Sequence, residues 1–205
     1  MIAIVDYGMG NLKSVLNAFK FISPQTKSII TSDPDAILRS DKVVFPGQGA
    51  MPDCIRELEE RGLRQAVIEA AKQKPFLGIC IGLQMLFDVS EEGDVNGLGL
   101  IPGRVKRFQS NKSERIKIPH MGWNNVSQFH SHPMWENIES NNRFYFVHSY
   151  YVEVKNKDLV MGVTHHGHDF TCAIAQENIF AVQFHPEKSA ESGLQLLKNF
   201  ISWSI

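Results

Sequence analysis

The chain has 205 residues, 43% hydrophobic and 21% charged, enough to bury one sizeable core and short for two, so residues 1–205 are expected to form a single domain. Lys+Arg 21 against Asp+Glu 22 leaves a formal charge of -1. No field of that size attracts a nucleic-acid backbone or an anionic membrane surface, and neither is expected as a partner.

The amino end, MIAIVDYGMGN, has no basic region ahead of a long apolar run and meets Asp6 almost at once. It reads as a buried first strand and not as a signal peptide. The first half then alternates strands with helical stretches: Ile2–Val5 as strand, Leu12–Phe21 as helix, Ser28–Thr31 and Val43–Phe45 as strands, Ile55–Lys72 as helical and Phe76–Ile79 as strand. That alternation implies right-handed crossovers and a mostly parallel, doubly wound α/β sheet with flanking helices, whose ligands bind at the carboxyl ends of the strands. The longest apolar stretch, Pro75 to Phe87, contains Gly78, Gly82 and Gln84 and is too short to cross a bilayer.

From about Gly97 the pattern becomes shorter strands and turns, with Arg104–Phe108, Phe144–His148, Tyr151–Val154, Leu159–Thr164, Cys172–Ala175 and Ile179–Phe184 reading as added, more antiparallel strands. A last amphipathic segment, Ala190 to Trp203, places Leu194, Leu197, Phe200 and Ile201 on one face and is expected to pack back on the sheet.

The stretch Gly78-Ile79-Cys80-Ile81-Gly82 carries the strongest chemical signal. A buried strand runs into it and a helix starts directly after it, so it has the form of a nucleophile elbow with cysteine in place of serine. Glycines two residues either side allow a tight, strained turn, and the helix amino terminus favours a thiolate. Cys54 and Cys172 lack this context and read as buried small hydrophobes. A thiol nucleophile needs a base and an orienting acid, and Phe184-His185-Pro186-Glu187 offers both at the end of a strand. A tetrahedral intermediate also needs preorganised donors. One is the N–H of Ile81; the others are expected from Gln48 and Gly49 in Pro46-Gly47-Gln48-Gly49, directly after a strand.

The remaining histidine, glycine and cysteine patterns build no second site. His165, His166 and His168 with Asp169 lie near Gly162 and Gly167 and read as a polar hairpin turn; His120, His130 and His132 read as loop. Gly8-x-Gly10 and Gly47-x-Gly49 lack the third glycine of a dinucleotide fingerprint. No metal and no cofactor are expected. Three cysteines without a close pair fit a reducing, cytoplasmic compartment. The triplets Asn111-Lys112-Ser113 and Asn125-Val126-Ser127 would matter only in a secreted chain.

The elbow, the PGxG loop and the His-Pro-Glu triplet, in this order, resemble class I, triad-type glutamine amidotransferases. Asp6-Tyr7-Gly8-Met9-Gly10-Asn11-Leu12, Pro119-His120-Met121-Gly122-Trp123-Asn124, Tyr145-Phe146-Val147-His148-Ser149-Tyr150 and Phe184-His185-Pro186-Glu187-Lys188-Ser189 narrow the resemblance, over essentially the whole chain, to the glutaminase subunits of imidazole glycerol phosphate synthases. The resemblance implies a Cys80, His185, Glu187 triad that hydrolyses glutamine through a thioester. It implies a glutamine site lined by Gly47, Gly49, Gln84, Ser149 and Tyr150. It also implies that Asn11, Trp123, Tyr145 and Lys188 face the (β/α)8 barrel of a cyclase subunit, which receives the ammonia in histidine biosynthesis. One position departs from the family pattern: Gln48 stands where a small or β-branched apolar residue is usual. Two other readings stay open on the sequence, a paralogous glutaminase feeding a different synthase, such as one amidating a sugar, and a non-catalytic regulatory subunit.

Overall fold

The computed structural model describes residues 1–109 and 116–205, so the triplet at 111–113 lies outside the described residues. In chain order the first half holds β1 (Ile2–Val5), α1 (Leu12–Ile22), β2 (Ser28–Thr31), α2 (Pro34–Arg39), β3 (Lys42–Phe45), α3 (Met51–Glu60), α4 (Arg64–Gln73), β4 (Phe76–Ile79), α5 (Ile81–Gln84), β5 (Phe87–Ser90) and β6 (Val95–Asn96). The second half holds β7 (Ile101–Arg107), β8 (His120–Asn125), β9 (Ser127–Gln128), β10 (Arg143–His148), β11 (Tyr150–Val154), β12 (Val160–His165), β13 (Asp169–Gln176), β14 (Ile179–Val182) and α6 (Ala190–Ser202).

The main sheet runs β2-β1-β3-β4-β14-β13-β11-β7-β5-β6, with β12 and β9 branching from β13. Its first five strands are mutually parallel, and from β14 to β7 the pairings are antiparallel. The expected parallel first half and antiparallel additions are therefore both present. β1, β4 and β14 are buried at every residue. Continuous apolar runs suit strands covered on both faces. The alternate residues divide accordingly: Ile2, Ile4, Leu77 and Ile79 join one apolar cluster with α1 and α6, and Val5, Val43, Phe45 and Phe76 join another with α3 and α4.

Besides the added short strands β5, β6 and β9, three local outcomes differ from the sequence expectation. The helical stretch 55–72 is two helices, because Gly62 takes φ +67 and ends α3. The Gly62 N–H donates to the Glu59 carbonyl at 2.9 Å and the Leu63 N–H to the Leu58 carbonyl at 3.0 Å, the paired closure of a Schellman motif. The short α2 is an addition to the expected elements, although Asp33-Pro34-Asp35 carries its signal: Asp33 Oδ1 accepts from the Asp35 N–H at 3.0 Å and Pro34 opens the first turn. His120 is not in a loop but starts β8, which pairs antiparallel with β10 in a separate two-stranded ladder, His120 opposite His148 and Trp123 opposite Tyr145.

Gly62 has open space where a Cβ would project. Gly62→Ala is thus expected to destabilise by about 1–2 kcal/mol through its positive φ alone, read as a lowered urea midpoint at constant m.

Candidate active site

β4 and β14 lie side by side with Gly78 opposite Ala181 and Ile79 opposite Val182, and the register continues as the Cys80 N–H donates to the Val182 carbonyl at 2.8 Å. Both chains leave the sheet at this carboxyl edge. Residues about a hundred positions apart, Cys80 and His185, arrive at the same cavity.

Cys80 holds φ 56 and ψ -110, a left-handed conformation that a non-glycine residue adopts only when the surroundings enforce it. The flanking glycines enforce it by contact. A Cβ on Gly82 would overlap the Phe45 carbonyl, and one on Gly78 would stand 2.9 Å from the Ala181 Cβ. The following helix, α5, is a single turn, so its axis adds little field. What it supplies is donors. Leu83 and Gln84 N–H groups bond to the Cys80 carbonyl at 3.0 and 3.3 Å, and the preceding N–H groups of Ile81 and Gly82 have no intrahelical acceptor.

His185 Nδ1 meets Glu187 Oε1 at 2.9 Å, with side chains only 6% and 3% exposed. Nε2 is buried and makes no well-formed hydrogen bond. Burial opposes the charge on His185, but Cys80, by charge and hydrogen-bonding reach, and then Glu187 outweigh it and push its pKa up to about 10. Burial instead pushes the Cys54 thiol up to about 12, and it raises Cys172 further. Those two thiols stay protonated and inert, as read from the sequence.

The cavity beside Cys80 measures about 280 Å³ and is lined by Gln48, Gly49, Ile81, Gln84, Glu92, Pro119, Val147, His148, Ser149, Tyr150 and His185. Gly49, Gln84, Ser149 and Tyr150 of the expected substrate site are all brought together here. Gly47 lies one layer beneath, against the Tyr7 hydroxyl and the Ile81 side chain, where a Cβ would overlap both. Gln48 is exposed at the rim, so its long side chain is accommodated without entering the core. A cavity of about 320 Å³ between Lys106, Arg107, Tyr151 and His168 contains none of the expected site residues.

Two residues of the site lie outside the sequence expectation. Gln183 Nε2 donates to the Cys80 sulfur at 3.7 Å and Gln183 Oε1 accepts from Gln84 Nε2 at 3.0 Å. Its signal is its place two residues before His185, on the same side of an extended chain. Glu92 brings a carboxylate into the cavity wall, with Oε2 accepting the Met51 N–H at 2.9 Å. Nothing in the acidic turn Glu91-Glu92-Gly93 marks it beforehand.

Of the four residues expected at a partner surface, Trp123 and Tyr145 form a T-shaped pair with centroids 6.1 Å apart. The Tyr145 carbonyl accepts the His185 N–H at 2.9 Å, and Lys188 follows Glu187 in the same turn. Asn11 is exposed at the start of α1, its side chain accepting from the Ser14 N–H. His165 and Asp169 pair at the base of the turn joining β12 to β13, the polar hairpin read from the sequence. Among the described residues no three His, Cys, Asp or Glu gather as metal ligands, and no helix is long and apolar enough to cross a membrane.

A family model, "Glutamine amidotransferase class-I", matches residues 3–203. Among curated relatives, imidazole glycerol phosphate synthase subunit HisH of Nitrosospira multiformis is 58% identical over 207 residues, covering 98% of this chain and 97% of that one. HisH of Chromobacterium violaceum is 51% identical over 206 residues, covering 98% and 97%. Among solved structures, a glutamine amidotransferase from Thermotoga maritima superposes with TM-score 0.63 at 14% identity, covering 98% of this chain and 82% of that one. The glutaminase domain of Trypanosoma brucei CTPS gives TM-score 0.65 at 20% identity over 100% and 94%, and these two likenesses concern the fold.

Because the Cys80 charge contributes most to holding the His185 proton, Cys80→Ala is expected to bring the His185 titration midpoint down from about 10. A ¹⁵N NMR titration of the ring checks it; an unmoved midpoint would break the link between the two side chains.

Proposed function

The chain belongs to the class-I glutamine amidotransferases, and from that premise we propose that Cys80, His185 and Glu187 are its catalytic triad. The protein is the glutaminase subunit of an imidazole glycerol phosphate synthase, releasing ammonia from glutamine for histidine biosynthesis. The observation that carries the triad is the junction of a strained Cys80 with a buried, proton-holding His185 oriented by Glu187.

The thiolate attacks the side-chain amide carbon of glutamine, and the carbonyl electrons move onto oxygen. The Ile81 N–H, without an intrahelical acceptor at the first turn of α5, is the donor assigned to that oxyanion, and Gln48 and Gly49 line the same cavity. As the C–N bond breaks, His185 gives its proton to nitrogen, and ammonia leaves a thioester on Cys80. Water, deprotonated by His185, then displaces the sulfur and glutamate departs. The cavity suits this substrate. Its volume is at the small end of ligand pockets, roughly 300–1,000 Å³. Gln84 Oε1 is a buried acceptor without a partner, and the Glu92 carboxylate is matched to an α-ammonium group.

Ammonia needs a protected exit, and the surface beside the site carries exposed large hydrophobic side chains. Met121 is 63% and Trp123 44% exposed on the β8–β10 ladder, next to Tyr145 and Lys188. We assign this face, with Asn11, to the cyclase subunit, since Tyr145 and His185 share a hydrogen bond and docking there reaches the base directly. Three free cysteines fit a cytoplasmic setting, and the chain's balanced charge gives no reason to invoke nucleic acid or membrane.

In the assembled complex Cys80→Ala should abolish glutamine-dependent turnover while turnover on ammonium salt persists; loss of both would sink the assignment. His185→Ala should lower glutamine hydrolysis by about 10²–10⁴-fold. Trp123→Ala should weaken binding of the cyclase subunit by about 2 kcal/mol, roughly thirtyfold in Kd by calorimetry, with an unchanged Kd removing this face from the interface.

A further inference from the structure

Gln183 interrupts an otherwise apolar run, Ile179-Phe180-Ala181-Val182-Gln183-Phe184, and it is fully buried. A leucine or methionine would fill a similar volume without burying an amide, which costs stability unless both of its ends are hydrogen-bonded. Both ends of this amide are committed inside the site. Oε1 accepts from Gln84 Nε2 at 3.0 Å, and Nε2 donates to the Cys80 sulfur at 3.7 Å. The direction of these bonds is set by the backbone. The Tyr150 carbonyl only accepts, so Gln84, 3.1 Å away, must present its nitrogen there. The same nitrogen faces Gln183, whose facing atom must then be oxygen, and this turns the Gln183 nitrogen toward the sulfur. Main-chain bonds anchor both partners: the Gln183 N–H donates to the Cys172 carbonyl at 2.8 Å, one step past the β13–β14 pairing, and the Cys80 N–H to the Val182 carbonyl at 2.8 Å.

We propose that Gln183 is a catalytic residue for glutamine hydrolysis: its side-chain amide, held in one direction by Gln84 and the Tyr150 carbonyl, donates to the Cys80 sulfur and stabilises the attacking thiolate. This rests on the reading of Cys80 as the nucleophile. A neutral thiol sulfur is a weak acceptor, so a buried N–H facing it is poorly satisfied. A thiolate accepts strongly, and the difference favours ionisation. Gln183 and His185, two residues apart in one chain, act on the same sulfur by different means, a fixed dipole and a charge. The two are not interchangeable. His185 must give its proton to the leaving ammonia, whereas the amide keeps its protons. The other titratable neighbours add no charge: burial raises the Tyr7 hydroxyl and pushes the Cys54 thiol up to about 12, so both stay neutral near pH 7.

The rate at which iodoacetamide alkylates Cys80, read by peptide mass spectrometry across a range of pH, tests this. At pH 7 Gln183→Met, similar in length but without a donor, should react about tenfold more slowly than the parent. That is the worth of a hydrogen bond to a charged group, less the greater reactivity of a more basic thiolate. The deficit should close as the pH rises past the ordinary thiol range, about 8.5, where the variant ionises as well. Gln84→Met, which removes the group that holds the amide in its direction, should show a deficit of the same pH form, and it serves if Gln183→Met does not fold. A parent-like rate at pH 7 in the folded variant overturns the proposal. So does a deficit that stays constant at every pH, the mark of a packing defect. If instead Cys80 in the parent reacts no faster than Cys54 or Cys172, the nucleophile assignment itself fails, a result distinct from any effect at Gln183.

Discussion

The parallel register of β4 with β14 is the constraint on which the functional site depends. With Ile79 opposite Val182, both strands release their chains at one edge, and the Cys80 N–H extends the ladder one step past the strand. A slip of one residue would exchange inward and outward side chains, leaving the thiol and the imidazole on opposite sides. Close approach protects the register. Gly78 stands so near Ala181 that a Cβ there would crowd the pairing, and Gly82 lets α5 fold back against the Phe45 carbonyl.

The site concentrates groups denied ordinary partners. His185 Nε2, Glu187 Oε2 and Gln84 Oε1 are buried without hydrogen bonds, and Cys80 holds a strained backbone. Each such group costs about 1–3 kcal/mol, and only a scaffold stable elsewhere can carry several. The apolar clusters on both faces of the sheet, rich in phenylalanine, supply that reserve. What destabilises the free protein becomes useful when a ligand supplies the missing donors and acceptors.

The β8–β10 ladder is a separate unit with two distinct faces. One carries Met121, Trp123 and Tyr145; the other carries His120 and His148, buried against Phe108 and Phe170. Because successive residues of a strand alternate sides, any shift that a partner imposes on the outer row moves the inner row with it. The Tyr145 carbonyl, bonded to the His185 N–H, shortens that route to a single hydrogen bond. The outer face of this ladder therefore lies one backbone hydrogen bond from His185 and one strand thickness from the histidine pair.

By itself the sequence determined the alternation of strands and helices, the elbow at Cys80 and the adjacency of His185 and Glu187, the pair we propose as its base and acid. Those are local facts: apolar runs specify buried strands, paired glycines specify a tight turn, and His185 and Glu187 sit two residues apart. Even there it blurred boundaries, joining α3 to α4 across Gly62 and leaving His120 in a loop, since a left-handed glycine and a glycine-containing strand weaken periodic patterns. Only the tertiary structure decided which distant strands become neighbours, and with that the place of Gln183 and Glu92 beside Cys80 and the pairing of His120 with His148. Those depend on hydrogen bonds between side chains up to about a hundred residues apart, such as Gln84 with Gln183 and His120 with His148, and no periodicity along the chain encodes a contact of that kind.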